Sequence, residues 1–268
     1  MFHLTRSTVV FALGILGCAL SAPAQEQPAY RVDDCVKVRD GKGLEYAGYL
    51  RDVSTKLARV RLDAGIYSLF VIAQAVTPAG RSARCDYHIV FGYVGFPKEP
   101  RTPEQTEADM KTAGIAMTRE QMIAKRDELS YLVGVDIWRA RDGVGASAKG
   151  AYARLNYYKI KSGMAGEWVD MESKGWKPLA EAVAKQTPGM AWSSATLAMP
   201  GGESLPYNAM TVDSFPSWEA MGKGIPARAI WEKVHPDMDF TAYIDRLGTI
   251  VERPRIDVVK LVEVMHAR

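Results

Sequence analysis

An α+β protein built from two tandem βαββαβ units is the fold that the sequence predicts, because a strand, turn and helix near residue 40 recur in the second half. Gly41 of the first copy corresponds to Gly163 of the second, an offset of 122 residues. Much further along the chain, Pro78 corresponds to Pro200 at the same offset. A constant offset between distant matches indicates one structural unit written twice.

The first half follows the order β-α-β-β-α-β. Across residues 44–62 apolar residues recur every three or four positions, which predicts a helix, whereas the flanking segments are rich in β-branched and aromatic residues. Thr102-Pro103-Glu104 has the cap, proline and acid that begin a helix, and Thr118 to Gln121 has the spacing of a capping box. The predicted strands are residues 31–39, 66–76, 85–94 and 131–140, and the helical regions are 44–62 and a stretch from 102 that is broken near 114.

The second half repeats this order. A helix at residues 165–185 ends at Thr187-Pro188-Gly189, and Ser217 caps a later helical region that is interrupted by two prolines and runs to about residue 251. The predicted strands are residues 152–161, 190–199, 209–215 and 255–265. We therefore divide the chain into a first unit at 25–141, a Gly, Ala and Ser-rich linker at 142–150, and a second unit at 151–268.

The βαββαβ order is the ferredoxin-like motif, in which the helices cover one face of a sheet. The other face carries either Leu155, Tyr157, Val259 and Leu261 or their alternating neighbours. Both sets contain apolar side chains, so this face too requires cover. The two units are therefore expected to pack sheet against sheet as an intramolecular α/β barrel. Room for a ligand is then expected only between each sheet and its helices.

The sequence resembles the dimeric α/β-barrel superfamily over nearly the whole mature chain, once per half and more closely in the second half. The residues that carry this resemblance are the strand 152–161, the turn Ser162-Gly163, Glu167-Trp168 and Trp176-Lys177-Pro178-Leu179. The superfamily includes antibiotic-biosynthesis monooxygenases, haem-degrading enzymes, chlorite dismutases and dye-type peroxidases. The resemblance implies a ferredoxin-like fold in which a small apolar molecule or haem binds between sheet and helices. No catalytic motif of any member matches, so the catalytic residues are unknown.

The first 24 residues have the features of a signal peptide. Arg6 precedes an apolar stretch at 8–20, and Ala22-Pro23-Ala24 has the small residues that signal peptidase requires. This predicts a periplasmic or secreted protein. An alternative is a lipobox at 15–18, which would make the chain an outer-membrane lipoprotein anchored through Cys18. After cleavage Cys35 and Cys85 remain, and export predicts a disulfide between them, with buried free thiols as the alternative.

Charge and histidine content limit the partners. The net charge of +3 comes from 34 basic and 31 acidic side chains, a balance that predicts no nucleic-acid partner. After the signal peptide no apolar stretch reaches the length of a membrane span, and we expect a monomer or homodimer. His88, His235 and His266 show no metal-ligand spacing. We expect no cofactor and no metal, with haem near His235 as the alternative.

One polar cluster is a candidate site for binding a ligand. Arg154, Asn156 and Tyr158 alternate along one strand and share its face, and Asp213 lies on the neighbouring strand. Trp192 adds an aromatic surface of the kind that lines pockets for apolar ligands. We predict that these five residues bind a ligand. The alternative for Arg154 and Asp213 is a structural ion pair.

The predicted function is that of an exported protein that binds a small apolar or aromatic molecule between sheet and helices. One alternative is a cofactor-independent oxygenase-type enzyme acting on an aromatic substrate, which would work by positioning the substrate and stabilising an anion. Another is a non-catalytic envelope protein that binds a partner or serves assembly.

Overall fold

The computed structural model describes residues 27–202 and 205–268. Within them the strands are β1 Ala29–Val38, β2 Leu69–Thr77, β3 Tyr87–Val94, β4 Ser130–Val144, β5 Tyr152–Ile160, β6 Ala191–Met199, β7 Ala209–Phe215 and β8 Val251–His266. The helices are α1 Gly43–Tyr49, α2 Thr55–Asp63, α3 Pro103–Thr112, α4 Arg119–Leu129, α5 Ala165–Asp170, α6 Lys177–Gln186, α7 Trp218–Lys223, α8 Ala227–Val234 and α9 Phe240–Ile250. Short π-helical turns, Leu50–Ser54 and Met171–Trp176, join α1 to α2 and α5 to α6.

The strands form one closed antiparallel barrel. Its order is β1-β3-β2-β8-β5-β7-β6-β4. Each unit contributes four strands, and the seams between the units are the β2–β8 and β4–β6 pairs. The predicted intramolecular α/β barrel is confirmed, and the edge strands of the two sheets join through backbone hydrogen bonds, which leaves no strand edge unprotected along these seams.

The internal repeat is visible in the pairing register. Tyr30 lies opposite Tyr93 in the first unit, and Tyr152 lies opposite Phe215 in the second, which is the same pair displaced by 122 residues. The register of the β2–β3 pair is likewise repeated in the β6–β7 pair at the same displacement. Equivalent residues of the two units can therefore be compared position by position.

Strand alternation gives the protein three separate interiors. One apolar cluster lies between the first sheet and its helices and includes Leu62 and Phe70. The second interior, between the second sheet and its helices, contains two apolar clusters in which Trp168 and Trp231 are fully buried. The third lies inside the barrel around Trp138. Since burying one large apolar side chain contributes roughly 1.5–3 kcal/mol, each compartment stabilises the fold.

Local capping explains where two helices of the first unit begin. Thr102 and Thr118 each form a capping box, in which the threonine side chain accepts from the glutamine backbone three residues later and that glutamine side chain accepts from the threonine backbone. Both starts were predicted from the sequence. The disulfide between Cys35 and Cys85 is likewise present.

Two expectations need correction. The linker predicted at 142–150 begins inside β4, because residues Asp142 to Val144 still pair with β6. Gly143, between them, does not interrupt the strand pairing. The division of the chain at 25–141, 142–150 and 151–268 otherwise stays a prediction, and the predicted signal peptide at 1–24, with Cys18, lies outside the described residues. The prediction that a ligand has room only between each sheet and its helices was also wrong. Small inward side chains such as Ala73 and Ala153 leave a cavity inside the barrel.

Candidate functional site

The face of the second sheet that turns toward the helices carries a polar cluster. Period-two alternation along β5 places Arg154, Asn156 and Tyr158 on this face, while their neighbours point into the barrel. The register sets Arg154 opposite Asp213 and Asn156 opposite Thr211. The predicted grouping of these side chains on one face is therefore what the backbone produces.

A single carboxylate oxygen organises this cluster. Asn156 Nδ2 donates to Asp213 Oδ2 at 2.8 Å, and Arg154 Nη2 and Nε donate to the same oxygen at 3.1 and 3.2 Å. Asn156 Nδ2 also lies 3.2 Å from Thr211 Oγ1. The ion pair that the sequence analysis left as an alternative is thus present, and it holds the Asn156 amide in place. Asn156 Oδ1 is buried and has no hydrogen-bond partner among the described residues.

Glu172 faces this cluster from the helical side. It belongs to the π-helical turn between α5 and α6, it is 3% exposed, and its Oε2 has no hydrogen-bond partner in the described part of the chain. Burial, with a smaller contribution from the Asp213 charge, raises the pKa of Glu172 to about 8. Single π-helical turns within α-helices are frequent at functional sites, and here the wide turn carries a carboxyl group that exchanges its proton near neutral pH.

Close packing of α9 fixes the position of this turn. The Tyr243 hydroxyl donates to the Met171 carbonyl at 2.9 Å. Gly175 lies beneath the same ring, and a Cβ there would come within 2.5 Å of Tyr243 Cε2, so only glycine allows this approach. The π-helical turn is therefore held against α9 at both of its ends.

The polar cluster and Glu172 enclose a cavity of about 400 Å³. Its apolar wall comes from Trp176 and from the α9 side chains Ile244 and Leu247, and exposed Arg253 lies at its edge. Burial raises the pKa of the Tyr158 phenol to about 12, so this hydroxyl stays protonated at neutral pH. The cavity thus combines apolar walls, hydrogen-bond donors and one carboxyl group that can take or give a proton.

The five residues predicted for the site do not all line this cavity. Arg154, Asn156, Tyr158 and Asp213 do. Trp192 lies opposite Asp213 on the same face, but it borders a smaller neighbouring space, about 20 Å³, and packs toward α6. Glu172 was missed. The sequence feature that could have revealed it is its position: an acidic residue four positions from both Trp168 and Trp176, on the apolar face of the helix.

Metal binding has no ready ligand set here. Across residues 27–202 and 205–268, no group of three or more His, Cys, Asp and Glu side chains is arranged to hold a metal ion. In the same part of the chain, no helix combines the length and apolarity needed to cross a bilayer.

Comparison with solved structures identifies the fold. No family model and no curated protein sequence matches the chain. A "putative monooxygenase" from Lactobacillus acidophilus NCFM superposes with a TM-score of 0.56 at 10% identity, covering 90% of this chain and 97% of that chain. A "putative monooxygenase" from Fusobacterium nucleatum subsp. nucleatum gives 0.55 at 11% identity, covering 91% and 96%. The predicted resemblance to the dimeric α/β-barrel superfamily is confirmed for the fold.

The expectation of no cofactor, with haem only as an alternative, is corrected by the same comparison. Weaker matches among solved structures include a haem-binding protein from Thermus thermophilus, at 11% identity and a TM-score of 0.46, covering 88% of this chain and 92% of that chain. They also include a putative chlorite dismutase and dye-type peroxidases. The expectation of no cofactor is therefore not supported, and haem has to be considered against the residues of this chain.

The described residues do not fit a histidine-ligated haem. Within the described ranges, no histidine lines the cavity beneath the helices of either unit. His235, the residue considered from sequence, ends α8 and has its Nε2 2.8 Å from the Gly175 carbonyl oxygen, with its ring packed on Trp231. Its imidazole is thus engaged by protein atoms. The polar groups that line the second-unit cavity are carboxyl, amide, hydroxyl and guanidinium groups.

Proposed function

We propose that the second-unit cavity binds a small aromatic molecule and that Glu172 removes a proton from it, as the first step of an oxygenase-type reaction. The observation that carries this proposal is the Glu172 carboxyl group, which is buried, lacks a partner on Oε2 among the described residues and has a pKa of about 8. A general base works best when its pKa lies near the working pH.

The surrounding residues suit such a proton transfer. An aromatic ring can lie between Trp176 and the α9 side chains Ile244 and Leu247. The substrate group that loses its proton, a phenol O–H or an acidic C–H, faces Glu172. The Tyr158 hydroxyl then stands beside the anion as a hydrogen-bond donor, and the Arg154 guanidinium adds positive charge.

Oxygen chemistry follows from the anion. An electron-rich carbanion can pass electrons to O2, which is the co-substrate. For an activated CH2 group the balanced outcome is a ketone and one water: one oxygen atom stays on carbon, and the other leaves with the two hydrogen atoms. The solved structures named as monooxygenases support this class of reaction by their fold, and the residues that would carry it belong to this chain.

Binding without catalysis is a second candidate function. The Arg154–Asn156–Asp213 cluster is satisfied internally through Asp213 Oδ2, which favours a fixed binding wall over a group that changes state. On this reading the pKa of Glu172 makes ligand affinity, not turnover, depend on pH.

Two probes separate these functions: 2-naphthol, which offers an acidic O–H, and anthrone, which offers an acidic CH2. Binding is followed by tryptophan fluorescence and turnover by oxygen consumption. Under the proposal anthrone consumes O2, and Glu172→Gln lowers the rate by about 100-fold or more while binding persists. The matched control is Glu167→Gln, since Glu167 is a surface residue of α5 paired with Arg246, and its rate should equal that of the unmodified protein.

The outcomes are distinct. Binding with no oxygen consumption would support the binding function and remove the oxygenase. Turnover that is unchanged in Glu172→Gln would remove Glu172 from the reaction. If neither probe perturbs the fluorescence, the cavity is not an aromatic site.

We also propose that the protein is exported to the periplasm or secreted. The disulfide between Cys35 and Cys85 supports this, because such bonds persist in oxidising compartments. Mass spectrometry of the protein from a cell fraction gives the test: a mature chain that begins at Gln25 is expected, whereas a lipid on Cys18 would indicate the lipoprotein alternative.

A further inference from the structure

The barrel interior contains a second cavity, built by both units and separate from the cavity under the second set of helices. Its volume is about 230 Å³, below the roughly 300–1,000 Å³ of sites for drug-sized ligands. Small inward residues on facing strands leave this space, among them Ala73, Ala153 and Ala191. Most of its wall is aliphatic, with Leu69, Val71, Val90, Leu155, Val212, Val259, Leu261 and Val264 contributing.

Arg31 projects from β1 into this apolar space. Its Nη1 donates to Ser193 Oγ at 3.2 Å, a contact that joins the first unit to the second. In the described part of the chain no acidic side chain forms an ion pair with it, and burial lowers the pKa of its guanidinium. A partly buried guanidinium without a carboxylate partner is costly in a protein interior, and an anionic ligand would offset that cost.

A buried acid–base pair lies deeper in the same cavity. His88 Nδ1 lies 3.0 Å from both carboxylate oxygens of Asp33, and both residues are buried. Burial alone would lower the pKa of His88, but the Asp33 charge and hydrogen bond outweigh burial and raise it. Asp33 is therefore paired with His88, and in the described part of the chain it forms no ion pair with Arg31.

The mouth of the cavity is formed by the connection between the units. Residues 143–147, at the end of β4 and just beyond it, line this mouth, and Ser147 Oγ lies 2.7 Å from Ser214 Oγ. Hydroxyl groups thus lie near Ser193, which the Arg31 side chain reaches, while aliphatic side chains form most of the remaining wall. The cavity therefore places a guanidinium and hydroxyl groups beside a largely aliphatic wall, the combination that an amphipathic molecule requires.

We infer that the barrel interior is a binding site for a small organic carboxylate. The Arg31 guanidinium and the Ser193 hydroxyl bind the carboxylate, and the aliphatic strand residues hold the apolar body of the ligand. Charge-assisted hydrogen bonds from arginine to a carboxylate are strong and can be bidentate. The site requires no covalent chemistry, and it is independent of the reaction proposed for Glu172.

Hexanoate and its uncharged counterpart hexanamide test this inference with the mature protein in titration calorimetry. Hexanoate is expected to bind, and hexanamide to bind at least about tenfold more weakly, because only the carboxylate pairs with Arg31. Arg31→Met should weaken hexanoate by a similar factor and leave hexanamide unchanged. Arg31→Lys keeps the charge and should retain part of the affinity. Arg81→Met is the control, because Arg81 is almost fully exposed, and its affinity should be unaltered.

NMR locates the ligand. Nuclear Overhauser effects from the hexanoate chain to Trp138 and Val259 are expected, and binding should persist in Glu172→Gln, which keeps this test separate from that of the proposed function. The inference is overturned if hexanoate does not bind, if hexanamide binds equally well, or if Arg31→Met leaves the affinity unchanged. It is also overturned if the contacts are to Ile244 and Leu247 beneath the helices. Should Arg31→Met fail to fold, the ligand pair and the NMR contacts decide on the unmodified protein.

Discussion

The two sheet–helix compartments share a backbone plan but differ in chemistry. At the position of Glu172 the first unit has Leu50, and at the position of Asp213 it has Phe91. The first-unit cavity, about 510 Å³, is lined by tyrosines and aliphatic residues together with two aspartates and three arginines. A duplicated unit can therefore keep its register while individual interior positions change from apolar to acidic side chains.

An acid on the strand side of the first compartment sharpens this contrast. Asp34 occupies the position of Asn156, and burial together with the Asp33 charge raises its pKa to about 6. In the second unit the equivalent amide carries no charge and is held in place by Asp213. The comparison indicates that each compartment has a carboxyl group with a raised pKa, but on opposite walls: on the strand in the first unit, and on the helix in the second.

The largest expected effect is on the pH dependence of stability. Unfolded, Glu172 ionises around its ordinary pKa of 4.5, whereas in the folded protein it keeps its proton to about pH 8. The folded state therefore binds more protons between these values, and this group's contribution to stability falls as pH rises through that window. Glu172→Gln should be more stable than the unmodified protein by up to about 5 kcal/mol above pH 8 and nearly equal near pH 4.5. Denaturant unfolding of both proteins from pH 4.5 to 9 measures this, and a constant difference would contradict the raised pKa.

Introducing the second unit's acid into the first is expected to have the next largest effect. Leu50→Glu places a carboxyl group in a buried core cluster of aliphatic and aromatic side chains, and should cost about 3–4 kcal/mol in the free energy of unfolding at neutral pH. Leu44→Glu is the control, since Leu44 is 91% exposed, and its stability should change by less than about 0.5 kcal/mol. Equal unfolding midpoints for the two variants would show that the first compartment tolerates a charge.

The third largest effect is expected when the carboxylate that organises the polar cluster is removed. Asp213→Ala leaves the Asn156 amide and the Arg154 guanidinium without their shared acceptor, and should destabilise the fold by about 2–3 kcal/mol. Asp170→Ala removes a surface pair with Lys174 and should cost no more than about 0.5 kcal/mol. Thermal unfolding of the two variants side by side gives the measurement. A similar small cost for both would mean that water replaces the cluster's hydrogen bonds.

The smallest effect is expected for Thr211→Val. The change preserves the shape of the side chain and removes only the oxygen that lies 3.2 Å from Asn156 Nδ2, so it should cost about 1 kcal/mol. The equivalent first-unit residue, Ile89, already packs without a hydroxyl group. A gain in stability would instead indicate that the hydroxyl is retained for a ligand.

Much of the architecture was predictable because it depends on local patterns. Helical spacing at 44–62, the capping boxes at Thr102 and Thr118, and the shared offset of the two halves all follow from neighbouring residues or from a simple repeat. Arg154, Asn156 and Tyr158 could be placed together because residues two apart on a strand share a face. Asp213 joined them because adjacent strands of a known motif have a narrow range of registers.

Two features had no local signal strong enough to be read. Glu172 lies on an apolar stripe between two tryptophans. Its raised pKa arises only in the folded protein, where the π-helical turn and α9 bury it near Asp213. The cavity around Arg31 is formed by strands of both units, because small inward-facing residues of these strands face one another across the barrel. Neither arrangement is encoded in any one segment.

By itself, the sequence determined the two-unit plan, the disulfide partners and the polar face of β5, because spacing along a chain fixes which side chains share a face. Only the tertiary structure decided that the sheets close edge to edge, that Glu172 keeps its proton near neutral pH, and that Arg31 is enclosed without an acidic partner among the described residues. The physical reason is that burial and long-range charge contacts arise between segments far apart in the chain. These contacts set a pKa or create a cavity.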